Sequence, residues 1–396
     1  MSDSADATPR PSPVRLAHAI HSGGFYGAEK VICDLAGEQA ACPAYAPRLL
    51  ALLDPGQTGN EVAERVAALG LPVSRVPVPP GLTWEGLRAY SRALTEGGIG
   101  IVHSHGYKAT AFHLCSRWFG MHRVPLLVTA HGYAKGSGDW KATVYRWLDL
   151  VFLGAAETVV AVSGEMEGYL RARNPICRLR TIPNGIRTEI QVEPSHPLWR
   201  ALGWGGGRGG FPPGDRAPVI GTAGRLVPMK NHAMLIRAYA EVRKTVPCRL
   251  AIIGEGPLRS SLESLWRGLI PDEPPGLFPF QSRVLDWVAD MDVFALPSDD
   301  GEGLPMALLE AGLLQKAVVC TDSGGMPELV HDWATGRLIR MGDEDGLVRA
   351  LEDLLLGPES RAAFGRALRK EVLAHHDIRA THGRYLEAYA QVLAHA

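Results

Sequence analysis

Two glutamates with a suggestive spacing, Glu302 and Glu310, lie in the segment PSDDGEGLPMALLEAG at 297–312. An apolar run precedes this segment, which predicts Glu302 in a loop after a strand and Glu310 two turns into the next helix. The helix N-terminus offers the backbone amides of Gly303 and Leu304 to an anion, whereas the carboxylates suit the hydroxyls of a ribose or hexose. The spacing alone is equally compatible with structural roles, in which Glu302 caps the helix and Glu310 is exposed to solvent.

A pair of cations, Arg225 and Lys230, follows a second apolar run in GRLVPMKNH. Two fixed cations at the end of a parallel strand can neutralise a diphosphate. If a sugar were cleaved from a nucleoside diphosphate, they would also stabilise the charge that develops on the leaving phosphate. As an isolated pattern, two solvated surface charges explain these residues as well.

Glycine-rich turns follow two other predicted strands. Gly23 and Gly24 lie in HSGGFYGAEK, where the backbone could approach a phosphate or a sugar closely, and Gly254 precedes Glu255 in IIGEGP. The pattern GGxxG is not the dinucleotide fingerprint GxGxxG, and the nearest acidic residue after the second strand is Asp54. The first turn is therefore weak support for a dinucleotide cofactor.

Three histidines stand at predicted strand ends: His103 and His105 in HSHG, and His131 in THG. All three are candidates to face one cleft. A metal site needs further ligands, and the sequence indicates no third one beside the HSHG pair. The acidic triplets DMD at 290–292 and DED at 343–345 match a metal-binding DxD pattern, but DMD precedes a buried strand, so a structural role or a chance match is favoured for both. We therefore predict no metal.

Composition narrows the function classes. The chain has 396 residues, 46% of them hydrophobic, and a formal net charge of -1, with no long basic run, so nucleic-acid binding is not expected. The six cysteines form no CxxC pair, which is typical of buried thiols in a reducing compartment. The polar N-terminal segment does not resemble a signal peptide, and no run of about 18 apolar residues predicts a membrane span. A cytoplasmic protein is expected.

Short apolar runs alternate with helical patterns along the whole chain, which predicts two α/β domains with parallel sheets. We expect a disordered leader at 1–13, an N-terminal Rossmann-like domain at 14–200 and a C-terminal one at 217–375. The glycine- and proline-rich stretch within 201–216 is predicted to be the linker. A final helix at 376–396 could pack back on the N-terminal domain.

Taken together, these segments resemble glycosyltransferase family 4, a retaining family with the GT-B fold of two Rossmann-like domains facing a central cleft. The resemblance runs from about Val14 to Ile339. It is carried by the shared order of GGxxGAE, HSHG, THG, AVS, IPNG, GRLVPMKN, IIGEGP, ALPSDDGEGLPMALLEA and TDSGGMPELV.

The resemblance implies a role for each matching residue. Arg225 and Lys230 would bind the donor diphosphate, Glu302 would face the donor sugar, and Glu310 would hold the ribose hydroxyls. His131 would lie near the donor sugar. The remaining matches form the surrounding pocket: Gly23 and Gly24 in a loop over the phosphates, Gly254 and Glu255 near the nucleotide, and Gly303 and Leu304 at the helix N-terminus, with Ser163 and Asn184 supporting the cleft.

Some positions depart from the family pattern. Arg187 replaces an aspartate after IPNG, Leu304 and Pro305 replace Phe–Gly, and Gln315 and Ala317 stand where glycine and proline are common. Pro279, in place of a glycine near the expected base, puts base specificity in doubt. None of these changes removes a charge assigned to the diphosphate or the sugar.

The implied function is transfer of a sugar, with retention, from a nucleotide-sugar donor such as a UDP-sugar to a glycan, lipid-linked or small-molecule acceptor. The resemblance places the enzyme in cell-surface polysaccharide or lipopolysaccharide synthesis, without a metal or other cofactor. A nucleotide-sugar epimerase, an oxidoreductase and a non-catalytic sugar-nucleotide-binding protein remain alternatives. A helical segment with Trp140, Tyr145, Arg146 and Trp147 suits either the core or a peripheral contact with the inner face of a membrane.

Overall fold

The computed structural model describes residues 12–57, 59–132, 140–193, 195–203, 217–299 and 302–395. They form two α/β units, each built on a parallel sheet, which confirms the predicted fold class. The predicted leader at 1–13 and linker at 201–216 lie almost entirely outside the described residues.

The N-terminal sheet has the strand order β3-β2-β1-β4-β5-β6-β7 among the described residues, and every pairing in it is parallel. Its strands are β1 (Val14–His21), β2 (Tyr45–Leu53), β3 (Val73–Pro77), β4 (Ile101–His105), β5 (Leu126–Ala130), β6 (Thr158–Ala161) and β7 (Leu179–Thr181). The helices of this half are α1 (Gly27–Ala40), α2 (Glu61–Ala68), α3 (Trp84–Gly97), α4 (Tyr107–Trp118), α5 (Trp140–Gly154) and α6 (Gly164–Arg173). The short helix α7 (Pro197–Ala201) comes next in the sequence, but its Leu198 is buried in the core of the C-terminal half.

The C-terminal sheet, with the order β10-β9-β8-β11-β12-β13, is also parallel. Its strands are β8 (Val219–Ala223), β9 (Arg249–Ile253), β10 (Leu277–Phe278), β11 (Val293–Leu296), β12 (Ala317–Thr321) and β13 (Arg337–Ile339). The helices are α8 (His232–Val242), α9 (Arg259–Leu269), α10 (Val284–Ala289), α11 (Met306–Leu313), α12 (Glu344–Leu356), α13 (Pro358–His375) and α14 (Ile378–Ala394).

Strand composition follows from burial on both faces. The central strands β8, β11 and β12 are buried along their whole length, so they are nearly continuous apolar runs rather than alternating ones. The edge strands β3 and β7 are only partly buried and carry arginines, which is why the apolar pattern did not predict them.

Side-chain caps begin several helices. Asn60, Thr83, Ser163 and Asp343 each accept a hydrogen bond from a backbone amide in the first turn of α2, α3, α6 and α12. Asp343 belongs to the DED triplet, so that residue has the structural role expected for the triplet.

The last helix, α14, belongs spatially to the N-terminal half. Tyr385, Ala388, Tyr389 and Val392 are buried in one apolar cluster with residues of β1, β4, β5 and β6, including Leu16. The chain therefore returns to its first sheet after completing the second one.

None of the helices among the described residues is both long enough and apolar enough to cross a membrane. Trp147 on α5 is 64% exposed, whereas the side chains of Trp140, Tyr145 and Arg146 lie outside the described residues.

The turn after α11 contains a backbone conformation that favours glycine. Gln315 is exposed and has φ +54°, in the left-handed region that L side chains adopt at a cost of about 1–2 kcal/mol. The backbone at Gln315, where a glycine would fit without strain, is therefore mildly strained.

We predict that Gln315→Gly raises the free energy of unfolding by up to about 1 kcal/mol, because relief of the strain exceeds the added entropy of the unfolded chain. Urea denaturation measures the effect. Gly168→Gln is the matched control: Gly168 is exposed inside α6 without a positive φ, so no comparable strain is involved there. An unchanged or lower midpoint for Gln315→Gly would contradict the prediction.

Candidate functional site in the cleft between the two sheets

A cleft of about 810 Å³ lies where the carboxyl ends of the two parallel sheets face each other. Residues from both halves line it, as expected for a site at the carboxyl edges of α/β sheets. Ten of the predicted site residues line the cleft: Gly24, His131, Arg225, Lys230, Gly254, Glu255, Glu302, Gly303, Leu304 and Glu310. Gly23 is not among the lining residues, although its neighbour Gly24 is.

Lys230 and Glu302 form an ion pair within the C-terminal half. Lys230 ends a short 3-10 turn after β8, and its Nζ lies 2.5 Å from Oε1 of Glu302. The two side chains are only 16% and 8% exposed, so solvent screens this attraction weakly. The cation predicted for the diphosphate and the carboxylate predicted for the sugar are therefore in direct contact.

Arg225 reaches across the cleft. Its guanidinium carbon lies 4.6 Å from the ring centroid of Tyr26, the residue that precedes α1. This is a cation–π geometry between the two halves. It holds Arg225 beside the loop that contains Gly24.

The second motif glutamate also contacts the opposite half. Glu310 on α11 is buried and pairs with Lys30 on α1. Burial lowers the pKa of Lys30, but the carboxylates of Glu310 and Asp34 together outweigh burial and raise this pKa above the ordinary value for lysine. Lys30 is therefore charged, and it pairs with the Glu310 carboxylate that was predicted to bind the ribose hydroxyls.

Glycine is required by close backbone contacts on the floor of the cleft. Gly254 has φ +150°, and a Cβ there would lie 1.9 Å from the carbonyl oxygen of Gly224. A Cβ on Gly303 would lie 2.4 Å from the carbonyl oxygen of His131 in the other half. Gly132 and Glu302 pair as an antiparallel β-bridge at the same place, so the two halves meet backbone to backbone.

The loop before α1 is ordered by a buried carboxylate. Glu29 accepts hydrogen bonds from the Ser22 hydroxyl at 2.5 Å and from the Tyr26 amide at 2.9 Å. These bonds fold the Gly23–Gly24 segment over the start of α1. The GGxxG turn thus forms part of the cleft wall without the geometry of a dinucleotide fingerprint.

Only one of the three predicted histidines lines the cleft. His131 follows β5 and lines it, whereas His103 and His105 are buried inside the N-terminal sheet. The expectation that all three could face the cleft is therefore wrong for His103 and His105, because His103 packs against Tyr385 and Tyr389 of α14 and His105 is buried between His18 and His131. Burial lowers the pKa of His131 to about 4, so the ring is neutral near pH 7.

A third histidine, His18 on β1, joins His103 and His105, with ring nitrogens of the three within 4.8 Å of one another. The sequence analysis missed His18, because its only signal was a polar residue within an apolar strand. The nitrogens are engaged by protein partners: His18 contacts Gln39 and His105, and His103 contacts Tyr389 and Thr129. These hydrogen bonds satisfy the buried ring nitrogens of His18 and His103 inside the sheet.

The acidic triplet at 290–292 has structural partners. Asp290 accepts a hydrogen bond from the Leu198 amide at 3.0 Å, and Asp292 accepts one from the Val219 amide at 2.8 Å. Both carboxylates therefore stabilise the start of an element, as the sequence indicated.

Two other positions singled out in the sequence form polar contacts, Asn184 between the halves and Arg187 within the N-terminal half. Asn184 donates a hydrogen bond to the carbonyl oxygen of Leu304 at 2.8 Å. Arg187, which replaces an aspartate of the family pattern, lies 3.1 Å from Asp34 and 3.7 Å from Glu38 on α1. That departure is compensated within this chain by two acidic partners.

Sequence reasoning missed several cleft residues, notably Tyr26, Lys30 and Asp34, together with the segment 280–286 before and in α10. Lys30 had one available signal, since it directly follows the GAE of the glycine-rich turn. Its partner could not be found, because the Lys30–Glu310 contact joins residues 280 positions apart.

An architecture of two facing Rossmann-like domains with a charged site between them is that of the GT-B glycosyltransferases. The structure of HepE from Anabaena in complex with UDP and glucose has this fold and superposes with a TM-score of 0.80 at 17% identity, covering 95% of this chain and 99% of HepE.

Two family models match the chain. The model described as Glycosyltransferase Family 4 matches residues 25–190, and the model described as Glycosyl transferases group 1 matches residues 210–371. The chain belongs to this family of glycosyltransferases, so the predicted resemblance is confirmed.

Curated relatives agree with this assignment. A GDP-mannose-dependent α-(1-6)-phosphatidylinositol monomannoside mannosyltransferase of Mycolicibacterium smegmatis is 38% identical over 39% of this chain and 42% of its own length. The putative glycosyltransferase EpsD of Bacillus subtilis is 27% identical over 76% of this chain and 79% of its own length. The chain thus spans less than half the length of the first of these relatives.

We predict that Gly303→Ala destabilises the protein by about 1–3 kcal/mol, because the added methyl would overlap the His131 carbonyl oxygen across the cleft. It would also weaken ligand binding in the cleft by separating the two walls. Urea denaturation and nucleotide titration measure the two effects.

Gly168→Ala is the control, since a Cβ there meets no atom within 4 Å and alanine is favoured in a helix. Wild-type stability and affinity in Gly303→Ala would show that the halves do not meet as described.

Proposed function

We propose that this protein transfers a sugar from a nucleoside-diphosphate sugar to a hydroxyl of a glycan or lipid-linked acceptor, with retention at the anomeric carbon. One observation carries the proposal: Arg225 and Lys230 converge with Glu302 and Glu310 in one cleft, opposite His131 on the other wall. Cations for a diphosphate and carboxylates for hydroxyls are the two kinds of group that a nucleotide-sugar requires.

The cations would stabilise the leaving group. Cleavage of the bond between the sugar and the diphosphate places negative charge on the phosphate oxygen, and fixed cations in a weakly solvated cleft favour that charge. Because Lys230 already contacts Glu302, the diphosphate would join an ordered ion pair and would not have to immobilise a free lysine.

The carboxylates would bind hydroxyls. Glu302, beside the sugar end of the diphosphate, would accept from the donor sugar, and Glu310 would accept from the ribose. Ribose binding at Glu310 requires that the Lys30 ammonium move aside or share the carboxylate.

The acceptor would approach from the N-terminal wall. A retaining transfer needs the acceptor hydroxyl on the same face of the sugar as the leaving phosphate, whose oxygen would take its proton. We assign no side chain as general base and propose that no metal is needed, since Arg225 and Lys230 supply the positive charge. The name of the Mycolicibacterium smegmatis relative includes a phosphatidylinositol monomannoside, which supports a lipid-linked acceptor. With such an acceptor, we propose that the enzyme works in the cytoplasm at the inner face of the membrane.

Calorimetric titration with UDP-, GDP- and ADP-sugars tests donor binding. One nucleotide class is expected to bind, and Lys230→Ala is expected to weaken that binding by about 10- to 100-fold, the effect of losing a charge-assisted hydrogen bond. Lys244→Ala is the matched control, because Lys244 is 64% exposed and pairs only locally with Glu241. No binding by the folded wild-type protein would overturn the proposal.

The ribose assignment has its own test. Glu310→Gln is expected to weaken binding of the ribonucleotide by about tenfold and to weaken binding of its 2′-deoxy analogue less. Glu241→Gln is the control, because Glu241 is 58% exposed and pairs locally with Lys244. Equal losses for both nucleotides would place Glu310 away from the ribose.

Retention is tested on the product. NMR coupling constants of the anomeric proton in donor and product are expected to show the same configuration. An inverted product would leave sugar transfer in place and refute the retaining mechanism.

A further inference from the structure

A continuous chain of hydrogen bonds leads from the cleft into the protein core. Nε2 of His131 lies 2.9 Å from Nδ1 of His105, and Nε2 of His105 lies 3.0 Å from Nδ1 of His18. Nε2 of His18 lies 2.7 Å from the amide oxygen of Gln39, and the Gln39 amide nitrogen donates to the Tyr389 hydroxyl at 2.9 Å. This chain of hydrogen bonds therefore connects the cleft to Gln39 on α1 and then to Tyr389 on α14.

The three imidazole rings in this chain of hydrogen bonds, those of His131, His105 and His18, are neutral. Burial lowers the pKa of His131 and of His18 to about 4, and it lowers that of His105 well below the ordinary value. A neutral imidazole has one N–H donor and one acceptor nitrogen. Each ring in the chain must therefore donate on one side and accept on the other.

The Gln39 amide sets the direction. Its nitrogen donates to Tyr389, so its oxygen faces His18 and can only accept. His18 must then carry its proton on Nε2 and accept at Nδ1 from His105. His105 in turn carries its proton on Nε2 and accepts at Nδ1 from His131. The proton of His131 is consequently on Nε2, and its Nδ1 holds a lone pair.

The same direction continues on the far side of Gln39. The Tyr389 hydroxyl, which accepts from Gln39, lies 2.8 Å from Nδ1 of His103 and donates to it. His103 then carries its proton on Nε2, which lies 2.7 Å from the Thr129 hydroxyl. One orientation of the Gln39 amide thus satisfies the hydrogen bonds of the buried imidazoles on both of its sides, His18 and His103.

We propose that Gln39, His18 and His105 are positioning residues that fix His131 in the Nε2–H tautomer, so that this residue acts in the cleft as a hydrogen-bond acceptor through Nδ1. The cleft side of His131 then receives a ligand hydroxyl that donates, such as a sugar hydroxyl of the donor or acceptor. The choice of ligand rests on the proposed function, whereas the tautomer does not.

The tautomer is measured directly by two-bond ¹H–¹⁵N correlation spectra of protein labelled with ¹⁵N-histidine. The His131 signals are assigned by their loss in His131→Asn. The ligand-free wild-type protein is expected to show the Nε2–H pattern for His131. An Nδ1–H pattern would overturn the proposal, because it would mean that the amide and every ring in the chain are reversed.

Two substitutions of Gln39 test the origin of the direction. Gln39→Met keeps the side-chain length but removes the acceptor of His18, so His131 is expected to populate both tautomers. Gln39→Glu keeps an acceptor at that position and is expected to retain the Nε2–H pattern. A pure Nε2–H pattern in a folded Gln39→Met protein would show that Gln39 does not set the direction.

Kinetics separate positioning from simple stabilisation. Gln39→Met is expected to lower kcat about tenfold with little change in the donor KM, and Gln39→Glu is expected to restore most of kcat. An equal loss of kcat in both variants would contradict the positioning role. If the wild-type protein transfers no sugar, the proposed function fails, while the spectra still decide the tautomer.

Discussion

The two halves of the molecule are joined at the cleft by backbone contacts that leave no room for a side chain. Gly303 lies against the carbonyl group of His131, Glu302 pairs with Gly132, and Asn184 bonds to the carbonyl of Leu304. This contact places the first motif glutamate and the cleft histidine on opposite sides of one narrow space. The ion pairs, the aromatic contact of Arg225 and the lining of the pocket all depend on that spacing.

Both motif glutamates of the cleft are paired with lysines before any ligand enters. Each motif glutamate contacts a lysine: Glu302 is paired within its own half, and Glu310 is paired across the cleft. Removing one member of a buried pair leaves an uncompensated charge, which costs more than the pair contributes as a unit. The polar residues of the cleft therefore act as a connected set, in which a ligand exchanges partners rather than occupying vacant groups.

Sequence patterns predicted the fold, and ten of the eleven predicted site residues line the cleft, because these residues lie in the loops after buried strands or in the first turns of helices. Arg225, Lys230 and Glu302 come after apolar runs, and the carboxyl ends of parallel strands meet at one edge. The patterns could not reveal pairings between the halves, such as Lys30 with Glu310, since these depend on how two sheets face each other. They also assigned His105 to the cleft, because alternation along a five-residue strand does not distinguish a cleft from a polar layer inside the core.

The position of α14 has a consequence for how the protein is made. The N-terminal sheet needs Tyr385 and Tyr389, among the last residues of the chain, to complete the core around Leu16 and Leu35. Domains usually fold in order as they emerge from the ribosome. Here the first domain to emerge must wait, with one face uncovered, until the second has been synthesised. The order of the elements along the chain thus makes completion of the N-terminal core depend on synthesis of the C-terminal unit.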